Sequence, residues 1–390
     1  MKKNSIPAPT GKKVRHRKRS PKNQVVNRRY SGAAPKHTVG MDLGDKTSRY
    51  FGLDQDGNQT REAGVATTTK ALTTVFGKMP RSRIALEVGT HSPWVSRLLE
   101  SLGHEVIVAN ARRVRVISDS NRKNDKMDAR LLARLARVDP ELLYPIRHRG
   151  ERAQQHLAMI RSRAVLVDGR TALINSVRGQ AKSFGERLGK FDADQMRVEK
   201  LEKLPEGMQA ALGPVLEIVE QMTKKIHEYD KQLAEIGRTE YPETALLEQI
   251  SGVGLLIALT YVLTLEDPWR FGRSRDVGPY LGLRPKQKES GESKPQLSIT
   301  KEGDEYLRRL LVQGAHHILS TRSPDTDLKR WGLTLAGNGS KKGKKRAVIG
   351  VARKLAVLLH HLWVSGEVYE PLRQNQAAAQ AGTQTAKSLA

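Results

Sequence analysis

The sequence predicts an α/β domain followed by two mostly helical regions. Between residues 37 and 138, short apolar runs of strand length alternate with helical patterns. Between residues 151 and 245, apolar residues recur at spacings of three and four, as in long paired helices. From residue 246 onward, helical patterns are separated by a glycine-containing turn and by a loop rich in Lys, Ser, Gly and Pro. These three patterns give the fold class α/β plus α.

The composition excludes several classes of protein. The chain has 390 residues, a formal net charge of +27 and no cysteine. The lack of cysteine rules out disulfides and thiolate metal sites, and the positive charge favours a polyanionic partner such as DNA or RNA. No apolar run reaches the roughly 20 residues of a membrane span, and no signal-peptide pattern begins the chain. We therefore expect a soluble cytoplasmic protein with no membrane partner.

The first 36 residues form a basic arm with twelve Lys or Arg and no acidic residue. Such an arm can bind polyanions without sequence specificity, or it can simply keep the chain soluble. We expect the arm and the Ala/Gln-rich tail to be disordered. The predicted regions are the arm at 1–36, the α/β domain at 37–150, a helical coiled-coil segment at 151–245, a C-terminal domain at 246–372 and the tail at 373–390.

The elements of the α/β domain follow one another as strand, strand, helix, strand, helix, strand, helix. Residues 55–58, Gln-Asp-Gly-Asn, carry a hairpin signal. Ser92 and Pro93 suit the N-cap and first position of a helix that stops at Gly103, and Asn124 can cap the last helix. This order suits a ribonuclease H-like domain, with room for one further strand. The predicted strands are His37–Leu43, Ser48–Leu53, Ile84–Val88 and Glu105–Ala109, and the first helix covers residues 67–78.

Four acidic residues fall where this domain would present them to one common edge. Asp42 lies on the first, central strand, and Glu87 ends the neighbouring strand. Asp125 and Asp128 are three residues apart and therefore share one face of the last helix. Converging carboxylates repel one another unless a cation such as Mg²⁺ or Mn²⁺ neutralises them, which favours metal-dependent chemistry on phosphodiesters. Each acid taken singly can also be a solvated surface residue. Asp45 competes with Asp42 but ranks lower because it falls in the loop after the strand, and Asp119 competes less well with Asp125 and Asp128 because it precedes the helix.

Two heptad patterns predict two long helices in the middle of the chain. The first extends from Leu157 to Ile174 and the second from Val215 to Ile236. Glycines and prolines at 184–214 separate them. The two helices pair with each other or with another protomer, or they belong to an ordinary helical domain.

The C-terminal region contains a turn like that of a helix-hairpin-helix. Residues 250–255 read Ile-Ser-Gly-Val-Gly-Leu between two helical patterns. The amides near Gly252 and Gly254 can bind a backbone phosphate. The same glycines equally suit a turn that only breaks a helix.

Ser290 lies in a lysine-rich loop. A serine hydroxyl can attack phosphorus and hold a DNA end as a phosphoserine, which conserves bond energy for rejoining. The residues alone do not select Ser290, because Ser293 and Ser298 are equally eligible. Cations around the loop can contact phosphates, or they can be ordinary solvated side chains. The candidates for such contacts are Lys286, Lys288, Lys301, Arg308 and Arg309.

These motifs together resemble those of the DEDD-type insertion-sequence transposases, now called bridge recombinases, which include the pilin-gene inverting recombinases. The resemblance covers nearly the whole chain after the basic arm. Each short motif is weak evidence by itself, but the order and joint presence of the motifs are highly specific for this family. In the N-terminal part the motifs are residues 40–43, 86–89 with Trp94, and 123–133. In the C-terminal part they are residues 250–254, 270–271, 280–285, 290–291, 299–304 and 307–311.

The resemblance implies a RuvC-like N-terminal domain and a C-terminal serine transposase domain. By motif position, Asp42, Glu87, Asp125 and Asp128 would form an acidic tetrad that uses Mg²⁺, and Ser290 would be the nucleophile. The family also implies a tetramer, a dimer of dimers assembled through the coiled coil, with composite sites formed across protomers. A noncoding bridge RNA made by the element would pair with donor and target DNA, in the cytoplasm and at the nucleoid of a bacterium.

Three functions compete for this chain. An RNA-guided serine recombinase-transposase would form a covalent protein–DNA intermediate that depends on Ser290. A metal-dependent RuvC-like nuclease that hydrolyses branched DNA would need the acidic tetrad but no serine. A non-catalytic nucleic-acid-binding protein would need only the positive charge. We favour the first, because the C-terminal motifs match the family as well as the N-terminal motifs do.

Overall fold

The computed structural model describes residues 35–110, 125–287, 290, 293, 295 and 297–373, and of residues 125 and 126 only the backbone. Most of the predicted arm, the predicted cap Asn124 and nearly all of the predicted tail lie outside these residues. The chain divides into two compact units, the first ending at Arg147 and the second beginning at His148. Each unit has its own hydrophobic core.

The first unit is built on a mixed β-sheet. Its described strands are β1 (His37–Asp42), β2 (Thr47–Leu53), β3 (Gln59–Ala66), β4 (Ser82–Glu87) and β5 (Glu105–Ala109). They form one five-stranded sheet in the order β3-β2-β1-β4-β5. β1 is antiparallel to β2 and parallel to β4, while β2 pairs antiparallel with β3 and β4 pairs parallel with β5. The ribonuclease H-like prediction is confirmed, and β3 is the further strand.

The hairpin between β2 and β3 forms at the predicted turn. The Asp54 carboxylate accepts hydrogen bonds from the backbone amides of Asp56 and Asn58, at 2.9 and 2.8 Å. These bonds, with that of Asn58 the largest, lower the pKa of the Asp54 carboxyl. Gly57 has a φ of +91°, a conformation that glycine adopts without steric cost. The turn is thus specified by local chemistry.

Helices cover both faces of the sheet. α1 (Thr69–Phe76) and α2 (Ser92–Ser101) pack on the face that carries Val39 and Met41 of β1. α3 (Asp125–Val138) packs on the opposite face, over Gly40. β1 is therefore buried on both faces, which explains why it reads as an apolar run with little alternation.

The start of α2 differs from the prediction by one residue. His91 is the N-cap, and Ser92 is the first helical residue. The Ser92 hydroxyl bonds to Gly89 instead, donating to its carbonyl at 2.8 Å and accepting from its amide at 3.0 Å. The predicted cap is wrong because this hydroxyl completes the turn before the helix. Pro93 lies in the first turn, where its missing amide removes no intrahelical bond.

The two long helices predicted in the middle of the chain are present, and they pack against each other. They are α4 (Glu151–Ser183) and α5 (Glu206–Glu240), and residues of both share one core cluster. The buried Arg170 guanidinium of α4 donates to the Thr223 hydroxyl of α5 at 3.0 Å and to the Asp194 carboxylate at 2.6 Å. The bond from Arg170 lowers the pKa of the Asp194 carboxyl. The helices therefore pair within one chain.

Pro214 lies inside α5 and not in the segment between the two helices, contrary to the prediction. A proline in a helix interior costs about 3 kcal/mol, because its ring removes one hydrogen bond and clashes with the preceding turn. The neighbouring Leu212 and Leu216 are buried. Burial of a leucine side chain contributes about 1.5–3 kcal/mol. Packing of these leucines therefore offsets the low helix propensity of the proline.

The second unit continues as a helical C-terminal region. Its helices are α6 (Thr244–Leu247), α7 (Leu255–Leu265), α8 (Val277–Tyr280), α9 (Glu305–Ile318), α10 (Asp327–Ala336) and α11 (Lys341–Ser365). α11 begins with the basic sequence Lys-Lys-Gly-Lys-Lys-Arg at residues 341–346. By length and composition α11 could cross a membrane, but half of its apolar window is buried inside the protein. It packs against α9 and α10, as expected of a core helix.

Two buried polar side chains fix α11 to its surroundings. The Tyr261 hydroxyl of α7 donates to the Ala356 carbonyl at 2.6 Å. His360 Nε2 donates to the Pro268 carbonyl at 2.8 Å, and its Nδ1 accepts from the Ser274 hydroxyl at 3.0 Å. Burial raises the pKa of Tyr261 and lowers the pKa of His360, so both side chains are held neutral.

We expect Gly40→Ala to destabilise the first unit. A Cβ at Gly40 would lie 2.0 Å from the Ala129 carbonyl oxygen and 2.4 Å from the Ala133 amide nitrogen, both in the α3 backbone. Overpacking of this kind costs about 1–3 kcal/mol, which urea unfolding measures. Gly89→Ala is the control, because a Cβ there meets nothing within 4 Å, and its effect should stay within about 0.5 kcal/mol. Equal effects of the two substitutions would contradict this packing.

The stability of the second unit should fall as the solution is acidified. The pKa of His360 is lower in the folded protein than in the unfolded chain. Its contribution is therefore complete above the unfolded pKa of about 6.5 and is lost as pH falls from there toward the lower folded pKa. Urea unfolding at about pH 7.5 and 5.5 should show a smaller loss for His360→Gln than for the native chain. His316→Gln, at an exposed position of α9, should keep the native dependence; an unchanged dependence in His360→Gln would refute this role.

Candidate active site

Two of the predicted acidic residues lie at the same edge of the sheet. β1 and β4 are parallel neighbours, with Met41 aligned with Leu86. Asp42 and Glu87 are the next residue of each strand, so they lie at adjacent strand ends. Both side chains are half-buried. Asp42 is also aligned with Arg49 of the antiparallel neighbour β2.

α3 contributes Asp128 close to these strand ends. The Ala129 carbonyl lies directly over Gly40, the residue two positions before Asp42. Because the helix backbone touches the strand backbone there, the half-buried Asp128 is carried next to β1. Asp125 is the first residue of α3, and its side chain lies outside the described residues. The fold thus gathers Asp42, Glu87 and Asp128 on three elements in mutual contact.

The chemistry of these side chains suits a divalent cation such as Mg²⁺, which prefers carboxylate oxygens. Within the described part of the chain, no three His, Asp or Glu side chains are close enough to hold a metal ion. Asp42, Glu87 and Asp128 therefore supply suitable ligands on adjoining elements without forming a closed site by themselves. The Asp125 side chain is not among the atoms described.

A hydrogen-bonded group beside this edge was not predicted as a unit. The Trp94 indole donates to His91 Nδ1, and His91 Nε2 bonds to the Asp45 carboxylate, both at 3.2 Å. An indole N–H can only donate, so Nδ1 accepts and Nε2 carries the hydrogen that Asp45 receives. His91 thereby holds the carboxylate of the exposed loop residue Asp45. The spacing of these residues in the chain carried no signal for this arrangement.

Ser290 and Ser293 lie opposite each other in an isolated antiparallel bridge. The Ser290 amide donates to the Ser293 carbonyl at 3.3 Å, and the Ser293 amide donates to the Ser290 carbonyl at 3.0 Å. Residues that exchange both backbone bonds in an antiparallel pair place their side chains on the same face. Both serines are exposed. The backbone therefore places the two hydroxyls side by side, and this geometry does not distinguish Ser290 from Ser293 as the nucleophile.

This bridge belongs to a segment, residues 282–301, that we call the serine arm and of which the structure describes residues 282–287, 290, 293, 295 and 297–301. Its two sides are joined by backbone bonds from the Lys286 amide to the Ser298 carbonyl and from the Thr300 amide to the Arg284 carbonyl, both 2.9 Å long. A third bond runs from the Lys301 amide to the Gly282 carbonyl at 3.1 Å. The described residues of the serine arm from 284 to 298 are mostly exposed, so the arm presents its serines to solvent.

The predicted cations around the serine arm have different environments. Lys286 and Lys301 are exposed, whereas Lys288 lies outside the described residues. Arg309 donates to the Asp168 carboxylate of α4 at 3.0 Å, which raises the pKa of the guanidinium. Arg309 also lies over the Tyr306 ring, 4.9 Å from its centroid. Lys286 and Lys301 are therefore the predicted cations most open to a phosphate among those described.

Arg308 is not a surface cation, contrary to the prediction. Only 9% of the residue is exposed. Its Nη1 donates to the Leu281 carbonyl at 3.1 Å and to the Glu302 carbonyl at 2.8 Å. The sequence showed two adjacent arginines on an amphipathic helix, and only the helix packing distinguishes the inward residue from the outward one.

The two glycines of the predicted helix-hairpin-helix turn also differ. Gly252 has a φ of +89°, and a Cβ there would lie 3.0 Å from the Gly314 carbonyl oxygen of α9. Gly254 is the exposed N-cap of α7, and a Cβ there would meet nothing within 4 Å. Gly252 therefore allows this turn to pack closely against α9, whereas the space beside Gly254 at the start of α7 is open.

Sequence comparisons match two separate parts of the chain to transposase profiles. A profile described as the IS116/IS110/IS902 transposase family matches residues 244–329. A second profile, that of the DEDD transposases of the IS110 type, matches residues 39–186. The first match spans the serine arm and Arg308, and the second spans Asp42, Glu87, Asp125 and Asp128.

Curated relatives match over most of their lengths. The transposase-named protein y4pF/y4sB of Sinorhizobium fredii is 31% identical over 312 residues, covering 78% of either chain. The transposase for insertion sequence element IS1111A of Coxiella burnetii is 26% identical over 339 residues, covering 85% of this chain and 90% of the relative. The transposase for insertion sequence element IS1328 of Yersinia enterocolitica is 28% identical over 280 residues, covering 71% and 82%. The resemblance read from the motifs is confirmed: this chain belongs to the IS110/IS116/IS902 family of transposases, with a DEDD N-terminal domain.

Proposed function

We propose that this transposase joins donor and target DNA through a covalent serine–DNA intermediate. The observation that carries the proposal is the exposed serine arm, which presents Ser290 within a region that matches the family profile. The exposed lysines Lys286 and Lys301 lie on the same arm and can contact phosphates. Membership of the family establishes an enzyme that acts on DNA, and the serine mechanism is the finer step that we add.

The proposed reaction is an exchange of phosphodiester bonds. The Ser290 hydroxyl loses its proton and attacks phosphorus, forming a serine–phosphate bond. The bond from phosphorus to the leaving strand oxygen breaks, and that oxygen takes up a proton. A hydroxyl of the partner DNA strand then attacks the phosphoserine, which restores the Ser290 hydroxyl. No external energy source is needed, because each step replaces one phosphoester by another.

A divalent metal is the cofactor that the DEDD domain implies. We propose that Asp42, Glu87, Asp125 and Asp128 would hold Mg²⁺, or Mn²⁺ in its place. The placement of Asp42, Glu87 and Asp128 on contacting elements supports this assignment. Such an ion would neutralise charge on the phosphodiester and orient the attacking group. The protein's own part is to bring the carboxylates of β1, β4 and α3 to one edge.

We further propose that a bridge RNA of the element guides the choice of donor and target, and that the active form is a tetramer. The net charge of +27 supports binding of more than one nucleic acid strand. The competing function is a metal-dependent nuclease that hydrolyses branched DNA. Both functions require the acidic residues, and only the first requires a serine.

We expect Ser290→Ala to abolish the covalent intermediate. The full chain would be incubated with the element's RNA, labelled donor and target DNA and Mg²⁺, then denatured and examined for label on the protein. Ser293→Ala is the matched control, because Ser293 pairs with Ser290 in the same backbone bridge and lies on the same face. We expect it to retain the adduct.

Three results would contradict the assignment. Adduct lost in Ser293→Ala and kept in Ser290→Ala would move the nucleophile to Ser293. Cleaved DNA without attached protein would favour the hydrolytic nuclease. Adduct formation without the RNA, at the native rate and at the native sites, would contradict the proposal that a bridge RNA guides the choice of DNA.

We expect Asp42→Asn to lower the rate of strand cleavage by at least about 100-fold, since a lost metal ligand removes several kcal/mol of transition-state stabilisation. DNA binding, measured by gel shift, should persist. Asp45→Asn, at the exposed neighbouring carboxylate, should change the rate by less than about tenfold. The roles of the two residues would have to be exchanged if Asp45→Asn were the more damaging substitution.

A further inference from the structure

The guanidinium of Arg308 is buried, and among the residues that the structure describes it has no carboxylate partner. Only 9% of the residue is exposed, and none of the ion pairs formed among the described residues includes it. Its contacts are the carbonyls of Leu281 and Glu302, at 3.1 and 2.8 Å. Burial of a charge costs several kcal/mol unless hydrogen bonds satisfy it. A cation at this buried position indicates that its hydrogen bonds to the two carbonyls have a specific role.

Those two carbonyls belong to opposite ends of the serine arm. Leu281 immediately precedes the arm, and Glu302 immediately follows it. One nitrogen, Nη1, donates to both. Arg308 therefore joins the entering and leaving chains at one point, and it fixes both to α9, the helix on which it lies.

The backbone at the base of the arm has little freedom to find another arrangement. Gly282 has a φ of +68°, and a Cβ there would lie 2.2 Å from the Glu302 carbonyl oxygen. Gly303 has a φ of +76°, and a Cβ there would lie 2.2 Å from the Tyr280 carbonyl oxygen. Lys301 holds a φ of +58°, which costs a non-glycine residue about 1 kcal/mol. Surrounding contacts must impose this conformation, and Arg308 supplies two of them.

α9 is itself held firmly in the second unit. The Asp304 carboxylate caps the helix, accepting from the Leu307 amide at 2.9 Å. The same carboxylate receives a hydrogen bond at 3.1 Å from Arg161 of α4. Arg308 therefore lies on a helix that is fixed in place, and its hydrogen bonds hold the base of the arm.

We propose that Arg308 is the positioning residue of the serine arm: it sets the direction in which Ser290 reaches the phosphate. This inference rests on the proposed function, in which Ser290 is the nucleophile. Attack on phosphorus requires close alignment, and a displacement of about 1 Å can cost about 100-fold in rate. Arg308 is buried and bonds to the carbonyls of Leu281 and Glu302 and not to Ser290, so in this proposal it acts through the base of the arm.

Arg308→Met and Arg308→Lys separate this role from simple packing. Methionine keeps much of the side-chain volume but leaves both carbonyls without their donor. Lysine can donate to one or both carbonyls through its ammonium group. We expect Arg308→Met to lower the rate of covalent adduct formation by about 100-fold at saturating DNA, with the half-saturating DNA concentration unchanged within about twofold. Arg308→Lys should recover a large part of the native rate.

Tyr261→Phe is the control for a general loss of stability. It removes another buried hydrogen bond to a main-chain carbonyl in the same unit but leaves the base of the arm intact. Urea unfolding would establish that Arg308→Met and Tyr261→Phe destabilise the protein to a similar degree. Tyr261→Phe should then form adduct at the native rate. Equal rates for the native, Arg308→Met and Tyr261→Phe proteins would overturn the proposal.

A second measurement does not depend on catalysis. The chain contains no cysteine, so Ser298→Cys, at an exposed position of the arm, creates a unique site for a nitroxide spin label. With Arg308 present, the electron paramagnetic resonance spectrum should show restricted motion of the spin label. In Arg308→Met the spectral lines should narrow, because the label moves more freely. Unchanged spectra would refute the positioning role. If no variant, including the native chain, formed a serine adduct, the proposed function would fail, and these spectra would still decide whether Arg308 holds the arm.

Discussion

The direct contact between the backbones of β1 and α3 is the constraint on which the N-terminal unit depends. A strand and a helix can approach this closely only where the strand has no side chain, and Gly40 meets that condition. The contact decides where the start of α3 lies relative to the ends of β1 and β4. Because Asp42 follows Gly40 by two residues and Asp128 precedes Ala129, one close approach sets the placement of the acidic residues on two elements.

In the second unit the proposed nucleophile, Ser290, lies on the serine arm and not on a helix or a strand of the sheet. The described residues of this arm between 284 and 298 are mostly exposed, so they have little buried surface to hold them in place. The base of the arm is held in place within the second unit, where two glycines, Lys301 in a left-handed conformation and the Arg308 guanidinium lie together. Rigid support at the base and exposure at the tip are compatible because they concern different residues of the same segment.

Much of the fold was predictable because its signals are local. The turn at 55–58, the paired heptads of α4 and α5 and the apolar strands all arise from patterns within a few residues. Predictions went wrong where a distant contact outweighed a local preference. Pro214 lies within α5 because the flanking leucines are buried, and Ser92 is not a cap because its hydroxyl bonds to Gly89. The arrangement of Asp45, His91 and Trp94 had no local signal, since Asp45 and His91 are 46 residues apart.

The sequence by itself determined the alternation of elements, the strongly positive charge and the order of motifs that places the chain among the transposases. It also limited the candidate reactive groups to a small set of acids and serines. The tertiary structure alone decided that Arg308 faces inward while Arg309 faces outward, that Gly252 packs against α9, and that Ser290 and Ser293 share a face. The physical reason is that periodicity encodes which side of an element is apolar, whereas the partner of a polar group depends on which distant backbone atoms the folded chain brings within hydrogen-bonding distance.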